Sequence, residues 1–387
     1  MIERSLFSEQ HEAFRDSYRR FADREIAPFH EAWEEQGYVD REVWRKAGAN
    51  GFLCMNMPEE YGGAGADRLY SVAQMEVNAE GGYSGIGFGL HTNIVAPYIE
   101  RYGTLEQKCK YLAPMASGEL IGAIAMSEPV AGSDLQGIKA TAIKQPDGSY
   151  LLNGSKTFIT NGWHSDVVIV VAKTDPAGGA KGTSLVMVDR GMKGFEKGKR
   201  LKKLGLKAQD TSELFFDNVH LPPDSVLGGP VMEGKGFICL MQELPWERLQ
   251  IAIGAVASAQ AAIDRTVAYV KDRKVFGTTL GAYQNTRFKL AELQAQVQMA
   301  RVFVDRCLEL VLQGKLDTAT ASMAKLTCSE LQCKVIDECL QFFGGYGFML
   351  EYPITRAYAD ARVGRIYGGT SEVMKEVIAR GMGLSGK

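Results

Sequence analysis

The spacing of apolar side chains divides the chain into three stretches. Up to residue 118 the apolar positions recur at helical intervals. In Leu6 to Pro28 the residues Phe14, Tyr18, Phe21 and Ile26 approximate one apolar face, and Pro28 ends the segment because it has no N–H to donate. A second helix is expected over Val43 to Gly51. The turn-rich run from Met57 to Gly65 follows, then a small-residue segment from Leu69 to Tyr98 carrying Gly81, Gly82, Gly85, Gly87 and Gly89. Another helix is expected from Gly103 to Ala116.

Near residue 119 the period changes. Ile121 to Met126, Ala140 to Lys144, Tyr150 to Asn153, Val167 to Lys173, Ser184 to Val188 and Leu214 to Asn218 are short apolar or alternating runs. Asp147-Gly148, Asn153-Gly154, Gly178-Gly179 and Gly191 separate them, which predicts strands and turns. From Gly234 the pattern is helical again, with long helices expected over Gln250 to Lys274, Gln284 to Gln313 and Asp317 to Gly344, and a shorter one over Pro353 to Val363. The expected architecture is α+β and multidomain: a helical domain over 1–118, a β domain over 119–228 and a four-helix bundle over 229–387.

Composition removes some functions. A net charge of −2 gives no electrostatic case for nucleic acid or an anionic membrane. No apolar run approaches the roughly 18 residues of a membrane span, and the N-terminus lacks the apolar core of a signal peptide, so a cytoplasmic location without membrane insertion is expected. Seven scattered cysteines argue against a disulfide framework. Cys328, Cys333 and Cys339 lie close in sequence without CxxC spacing or a nearby His, so buried thiols are expected and no metal site. No GxGxxG joins a strand to a helix, so a nicotinamide site lacks its fingerprint. Gly229 to Lys235 fits GxxxxGK, but Gly236 stands where a P-loop needs Ser or Thr.

Five stretches carry chemistry. In Arg365 to Glu372 an apolar run breaks at Gly368-Gly369 before Thr370, Ser371 and Glu372. Paired glycines let the backbone approach a ligand, and a Thr370 or Ser371 cap leaves helix N–H groups for an anion or a polar cofactor group. An ordinary capped helix start would read the same way. Ala125 to Asp134 is a strand ending in a Pro/Gly loop that presents Ser127 and Ser133. Lys156 to Gly162 is a strand and turn with Phe158, Ile159 and Thr160 in series. Arg273 to Gly277, followed by Gln284, offers a planar cation suited to phosphate. Gln341 to Phe348 is a helix end opening into a glycine loop that includes Gly344 and Gly345.

Together these motifs resemble the acyl-CoA dehydrogenase family, along with a P-E-E-Y-G-G loop at residues 58–63. The resemblance runs from about Leu6 to Gly383. It implies an FAD enzyme that oxidises a saturated acyl-CoA to the trans-2-enoyl-CoA and passes electrons to electron-transfer flavoprotein, as a homodimer or homotetramer. By resemblance, Ala125, Ser127, Phe158, Ile159 and Thr160 meet the flavin ring. Arg273 and Gln284 hold the rest of the cofactor, as do Thr370 and Glu372. Gln341, Gly344 and Gly345 reach the FAD of a neighbouring subunit. Ser133, Arg248, Gly368 and Gly369 meet the substrate.

One residue departs from the pattern. The family signature I-Y-E-G-T carries its catalytic base on the Glu, and here that position is Gly368. A minority of the family, including isovaleryl-CoA and long-chain acyl-CoA dehydrogenases, carries the base in an E-R-L motif on another helix. Glu247-Arg248-Leu249 matches that motif, and the C-terminal run reads most like the long-chain members. Pro245 is expected in the first turn of the long helix, which would put Glu247 in the first helical turns. A first-turn acid stabilising the helix dipole is the alternative reading of Glu247, and Glu243 is the second candidate base. With the base position empty, a silent flavin or acyl-CoA binder remains a rival, as do a branched-chain dehydrogenase and an oxidase.

Overall fold

The structure, a computed structural model, describes residues 2–384. Helices α1 (Glu9–Glu25), α2 (His30–Gln36), α3 (Arg41–Ala49) and α4 (Arg68–Gly81) come first. Then α5 (Phe88–Leu90), a wider π-type turn at His91–Val95, α6 (Ala96–Tyr102) and α7 (Leu105–Ala116) follow. Ser8 and His11 cap α1 reciprocally. Tyr18, Phe21 and Ile26 are buried as their spacing implies. The short α2 has no counterpart in the expected pattern, being mostly polar. Inside α4, the carboxylate of Glu76 takes ion pairs from Arg4 at 2.9 Å, Arg15 at 2.8 Å and Arg301 at 2.6 Å. Burial opposes its ionisation, but the three guanidinium groups outweigh that and hold it below the usual carboxylate range.

The middle region is a seven-stranded sheet: β1 (Gly122–Ala125), β2 (Thr141–Lys144), β3 (Tyr150–Thr160), β4 (Val167–Lys173), β5 (Thr183–Asp189), β6 (Phe195–Arg200) and β7 (Thr211–Leu221). The order is β1-β4-β2-β3-β7-β6, with β5 paired to β4. Every residue of β4 is buried, as the apolar run from Val167 to Ala172 requires, and the strand ends in the buried Lys173. The pattern missed β6 because Phe195–Arg200 reads as a charged loop; it is an edge strand, where charge blunts unwanted pairing. In β3 two expected segments join into one strand, with register shifts between Leu152 and Gly154 and between Lys156 and Ile159.

The C-terminal region holds α8 (Gly236–Asp272), α9 (Gln284–Leu312), α10 (Thr318–Phe342), α11 (Pro353–Ala361) and α12 (Ser371–Gly381). A two-stranded hairpin, β8 (Lys274–Val275) and β9 (Thr278–Thr279), joins α8 to α9. The apolar seam of α8 (Leu249, Ala252, Ile253, Val256 and Ile263) packs with Leu293 and Val297 of α9 and with Ala324 and Cys328 of α10. One expectation fails: α8 starts at Gly236, so Pro245 lies inside the helix and not in its first turn. An interior proline removes the bond to the Met241 carbonyl and crowds that carbonyl with its ring, and α8 nevertheless continues through it. No helix among the described residues is long and apolar enough to cross a membrane.

Candidate active site

The loop at Gly368-Gly369 is held between α8 and α10. Both glycines are left-handed, with φ of 64° and 97°. Thr370 caps α12, its hydroxyl accepting from the Val373 N–H at 3.3 Å. The buried Lys325 donates to the Gly369 carbonyl at 2.7 Å. Burial, helped by the nearby Arg248 charge, pushes that lysine down to about 8. The Arg248 Nε lies 3.5 Å from the Gly368 carbonyl, and its Nη1 donates to Ser322 at 3.1 Å. A Cβ on Gly368 would stand 2.6 Å from the Ile251 Cδ1.

Glu247 lies one turn before Ile251 on α8, beside Arg248. Its Oε1 accepts from the Tyr98 hydroxyl of α6 at 3.1 Å. Burial pushes the carboxyl up to about 7; the Tyr98 bond lowers it, Glu243 raises it and Arg248 lowers it. Glu247 is well past the first turn of α8, so stabilisation of the helix dipole does not account for it. Glu243 is buried but committed, taking an ion pair from Arg101 at 2.8 Å and a hydrogen bond from Tyr102 at 2.8 Å.

The Ala125–Asp134 loop and the end of β3 lie side by side. The Thr157 N–H donates to the Ser127 carbonyl at 3.0 Å. Lys156, fully buried, donates to the Met126 carbonyl at 2.9 Å and to Glu128 at 2.8 Å. Glu128 also accepts from the Lys139 and Ala140 N–H groups. After this anchor Phe158 adopts φ 61° and is 69% exposed, while Ala125 and Ile159 are buried. Gln209 donates to the Thr160 hydroxyl at 2.6 Å, leaving that hydroxyl's own proton for another acceptor. Ser133 is exposed on the loop.

A second constellation sits elsewhere. Arg273, Gln341, Gly344 and Gly345 line a cleft of about 740 Å³, with Asn285 and Thr286 beside Gln284 at the start of α9. A Cβ at Gly344 or Gly345 would meet nothing within 4 Å, so neither glycine is required by packing. The Arg273 guanidinium stands 5.9 Å from the Tyr346 ring centroid. A cation beside open backbone in a cleft of this size fits the phosphate-bearing end of a nucleotide. An exposed aromatic at the bulge of β3, two residues from a hydroxyl with its proton to give, fits a flat heterocycle. Yet Arg273, the residue that ends α8, lies 26 positions beyond Glu247, roughly 39 Å at 1.5 Å per residue. The Arg273 cleft therefore lies far from Glu247 in the same chain. Glu372 is exposed in the first turn of α12.

Three family models match the chain: acyl-CoA dehydrogenase N-terminal domain over residues 8–119, middle domain over 123–219 and C-terminal domain over 234–383. The chain belongs to the acyl-CoA dehydrogenase family. It is 52% identical over 379 residues to the long-chain specific acyl-CoA dehydrogenase of Rattus norvegicus, covering 97% of this chain and 87% of the relative. The crystal structure of an acyl-CoA dehydrogenase from Geobacillus kaustophilus superposes with a TM-score of 0.96 at 46% identity, covering 99% of this chain and 100% of that one. A glutaryl-CoA dehydrogenase from Mycobacterium smegmatis in complex with FADH2 superposes at 0.89 with 29% identity, covering 97% of this chain and 95% of that one. The α–β–α order is thus the acyl-CoA dehydrogenase fold.

Several residues packed around the candidate site of this acyl-CoA dehydrogenase family member escaped the pattern. Lys325 shares a helix face with Ala321 and Cys328, both buried, and a lysine on an apolar face was the available signal. Tyr98, Ile251 and Gln209 gave none, because each reads as ordinary core or loop until its neighbour is known.

Proposed function

We propose that this chain oxidises a saturated acyl-CoA, of long chain in preference, to the trans-2-enoyl-CoA, with FAD as cofactor and electron-transfer flavoprotein as acceptor. FAD, when bound, supplies the acceptor for the hydride that leaves the β-carbon. Glu247 takes the α-proton. The observation that carries this is a carboxyl pushed up to about 7 on the same turns of α8 that touch Gly368. A base with a pKa near the working pH combines a useful ionised fraction with real proton affinity. The Gly368 N–H donates to the thioester carbonyl and stabilises the charge that develops there. Arg248 steadies the Gly368 carbonyl and adds positive charge beside the coenzyme A moiety, which Ser133 also meets, and Gly369 lets the acyl group pass close. Ala125, Ser127, Phe158, Ile159 and Thr160 receive the flavin ring, and Thr370 and Glu372 border the cofactor at the α12 start.

Arg273, Gln284, Gln341, Gly344 and Gly345 serve the cofactor of a neighbouring copy, which makes a homodimer the smallest working unit and a homotetramer a pair of such dimers. The separation along α8 supports this reading. The test is an anaerobic titration of the purified protein with acyl-CoAs of increasing length, for wild type and Glu247→Gln. Bleaching of the flavin by long-chain acyl-CoA in wild type only is the expected result. A yellow wild type that no acyl-CoA bleaches would instead favour a silent binder, the rival that Gly368 raises.

A further inference from the structure

Two pairs of side chains face each other across α6 and α8. Tyr98 and Tyr102 are one turn apart on α6, with ring centroids 6.0 Å apart. Glu243 and Glu247 are one turn apart on α8, so each pair shares a helix face. Tyr98 donates to the Oε1 of Glu247 at 3.1 Å, and Tyr102 reaches the Oε1 of Glu243 at 2.8 Å. The Tyr102 hydroxyl also lies 2.9 Å from the Gln242 Oε1, so its single proton is shared between those two acceptors. Arg101 closes the outer end on Glu243 at 2.8 Å. Among the described residues the other oxygen of Glu247, Oε2, has no hydrogen-bond partner.

We propose that Tyr98 is a positioning residue for Glu247, holding Oε1 and leaving Oε2 as the proton acceptor, and that the salt-bridged Glu243 acts on the same carboxylate through space. The proposal rests on Glu247 being the base. The asymmetry follows from hydrogen-bond capacity: a carboxylate oxygen that already accepts a phenol proton is the weaker acceptor of a second one. A donor to the ionised form makes the carboxylate a weaker base, and a like charge one turn away makes it a stronger one. The two effects oppose each other. The other charge acting on Glu247 is Arg248 on α8, while Arg101 on α6 and Arg68 on α4 (over the Trp246 ring at 4.5 Å) act on Glu243, and Lys325 on α10 lies beyond Arg248. None of them contacts Oε2.

The test uses the FAD-loaded enzyme and reads the pH dependence of kcat/KM together with the rate of flavin reduction in a single turnover. Tyr98→Phe is expected to move the acidic limb up by about one pH unit, the worth of one hydrogen bond. It is also expected to slow flavin reduction about tenfold at saturating acyl-CoA, with KM little changed. Glu243→Gln is expected to move the limb down by a similar amount. Flavin content and Tm are measured alongside, and Glu243→Gln stands alone if Tyr98→Phe fails to fold. A limb that stays at the wild-type position in both variants, or moves the same way in both, overturns the proposal. Glu247→Gln separates the two levels. If it keeps wild-type turnover, the base assignment and this proposal fall together. If it is inactive while the limb does not move in the other variants, only this proposal falls.

Discussion

Ile251 occupies the space that a side chain on Gly368 would need. Its Cδ1 lies 2.6 Å from the ideal Cβ position of that glycine, and Ile251 is one turn beyond Glu247 on the same helix. The helix that carries Glu247 thus also packs against Gly368. Arg248 and Ile251 of α8 both reach the Gly368 loop, and a side chain there would have to displace the end of Ile251 and hold a left-handed backbone.

Gly368→Ala is therefore expected to destabilise the protein by roughly 1–3 kcal/mol, from left-handed backbone strain plus the Ile251 contact. Urea denaturation of the purified enzyme measures it. Adding Ile251→Ala should relieve the contact and leave the backbone strain, so recovery relative to the Ile251→Ala single variant stays partial. In a Glu247→Gln background, Gly368→Glu alone should not restore wild-type turnover. Full restoration would mean that the helix yields easily to a side chain there.

The pH dependence of kcat/KM should rise through about 7, where the Glu247 carboxyl loses its proton, and Glu247→Gln should cost roughly 10²- to 10⁴-fold in kcat. Stability carries the opposite sign. The folded-state value lies above the ordinary glutamate value of 4.5, so the folded form binds the proton more tightly than the unfolded chain. That contribution is fully present below about 4.5 and is lost as pH rises through about 7. Glu247→Gln should gain in Tm relative to wild type at pH 8 compared with pH 5. An equal difference at both pH values would show that the carboxyl is not held protonated by the fold.

Lys156→Met is expected to be severe. It leaves Glu128 buried without its cation, a loss of about 3–5 kcal/mol. It also frees the Met126 carbonyl that anchors the Ser127 loop to β3. Purified protein should carry less flavin by absorbance, and Glu128→Gln in the same chain should restore part of the stability by removing the unpaired charge. An unchanged flavin content would separate this anchor from cofactor binding.

Arg273 and Thr160 can be tested for service to different cofactors. Chains carrying Arg273→Glu or Thr160→Trp should each be inactive alone. Co-expressed, they should form hybrids in which one site has both residues intact, and roughly a quarter to a half of wild-type activity per chain is expected on mixing statistics if each dimer has two sites. No recovery in hybrids would mean that both residues serve the same chain's cofactor.

Much of the layout was legible because it is local. The 3.6-residue period in Tyr18, Phe21 and Ile26 and the unbroken apolar run of β4 describe their own burial, and both are found as read. Strand β6 was not legible, because an edge strand needs no apolar face and its charged residues resemble a loop. The start of α8 was misread because Pro245 is a strong local stop signal, and only the packing of α8 against α4, α9 and α10 shows that the helix runs through it.

The α–β–α order, the family motifs, the glycine at position 368 and the carboxylate at Glu247 were all legible in the sequence. These are statements about residue type and spacing along one chain. Only the tertiary structure brings Tyr98 to Glu247 and Ile251 to the space beside Gly368. Each of these depends on which faces of distant segments meet. Hydrogen bonds of about 3 Å and contacts of a few ångströms are set by helix packing, to which spacing along the sequence is blind.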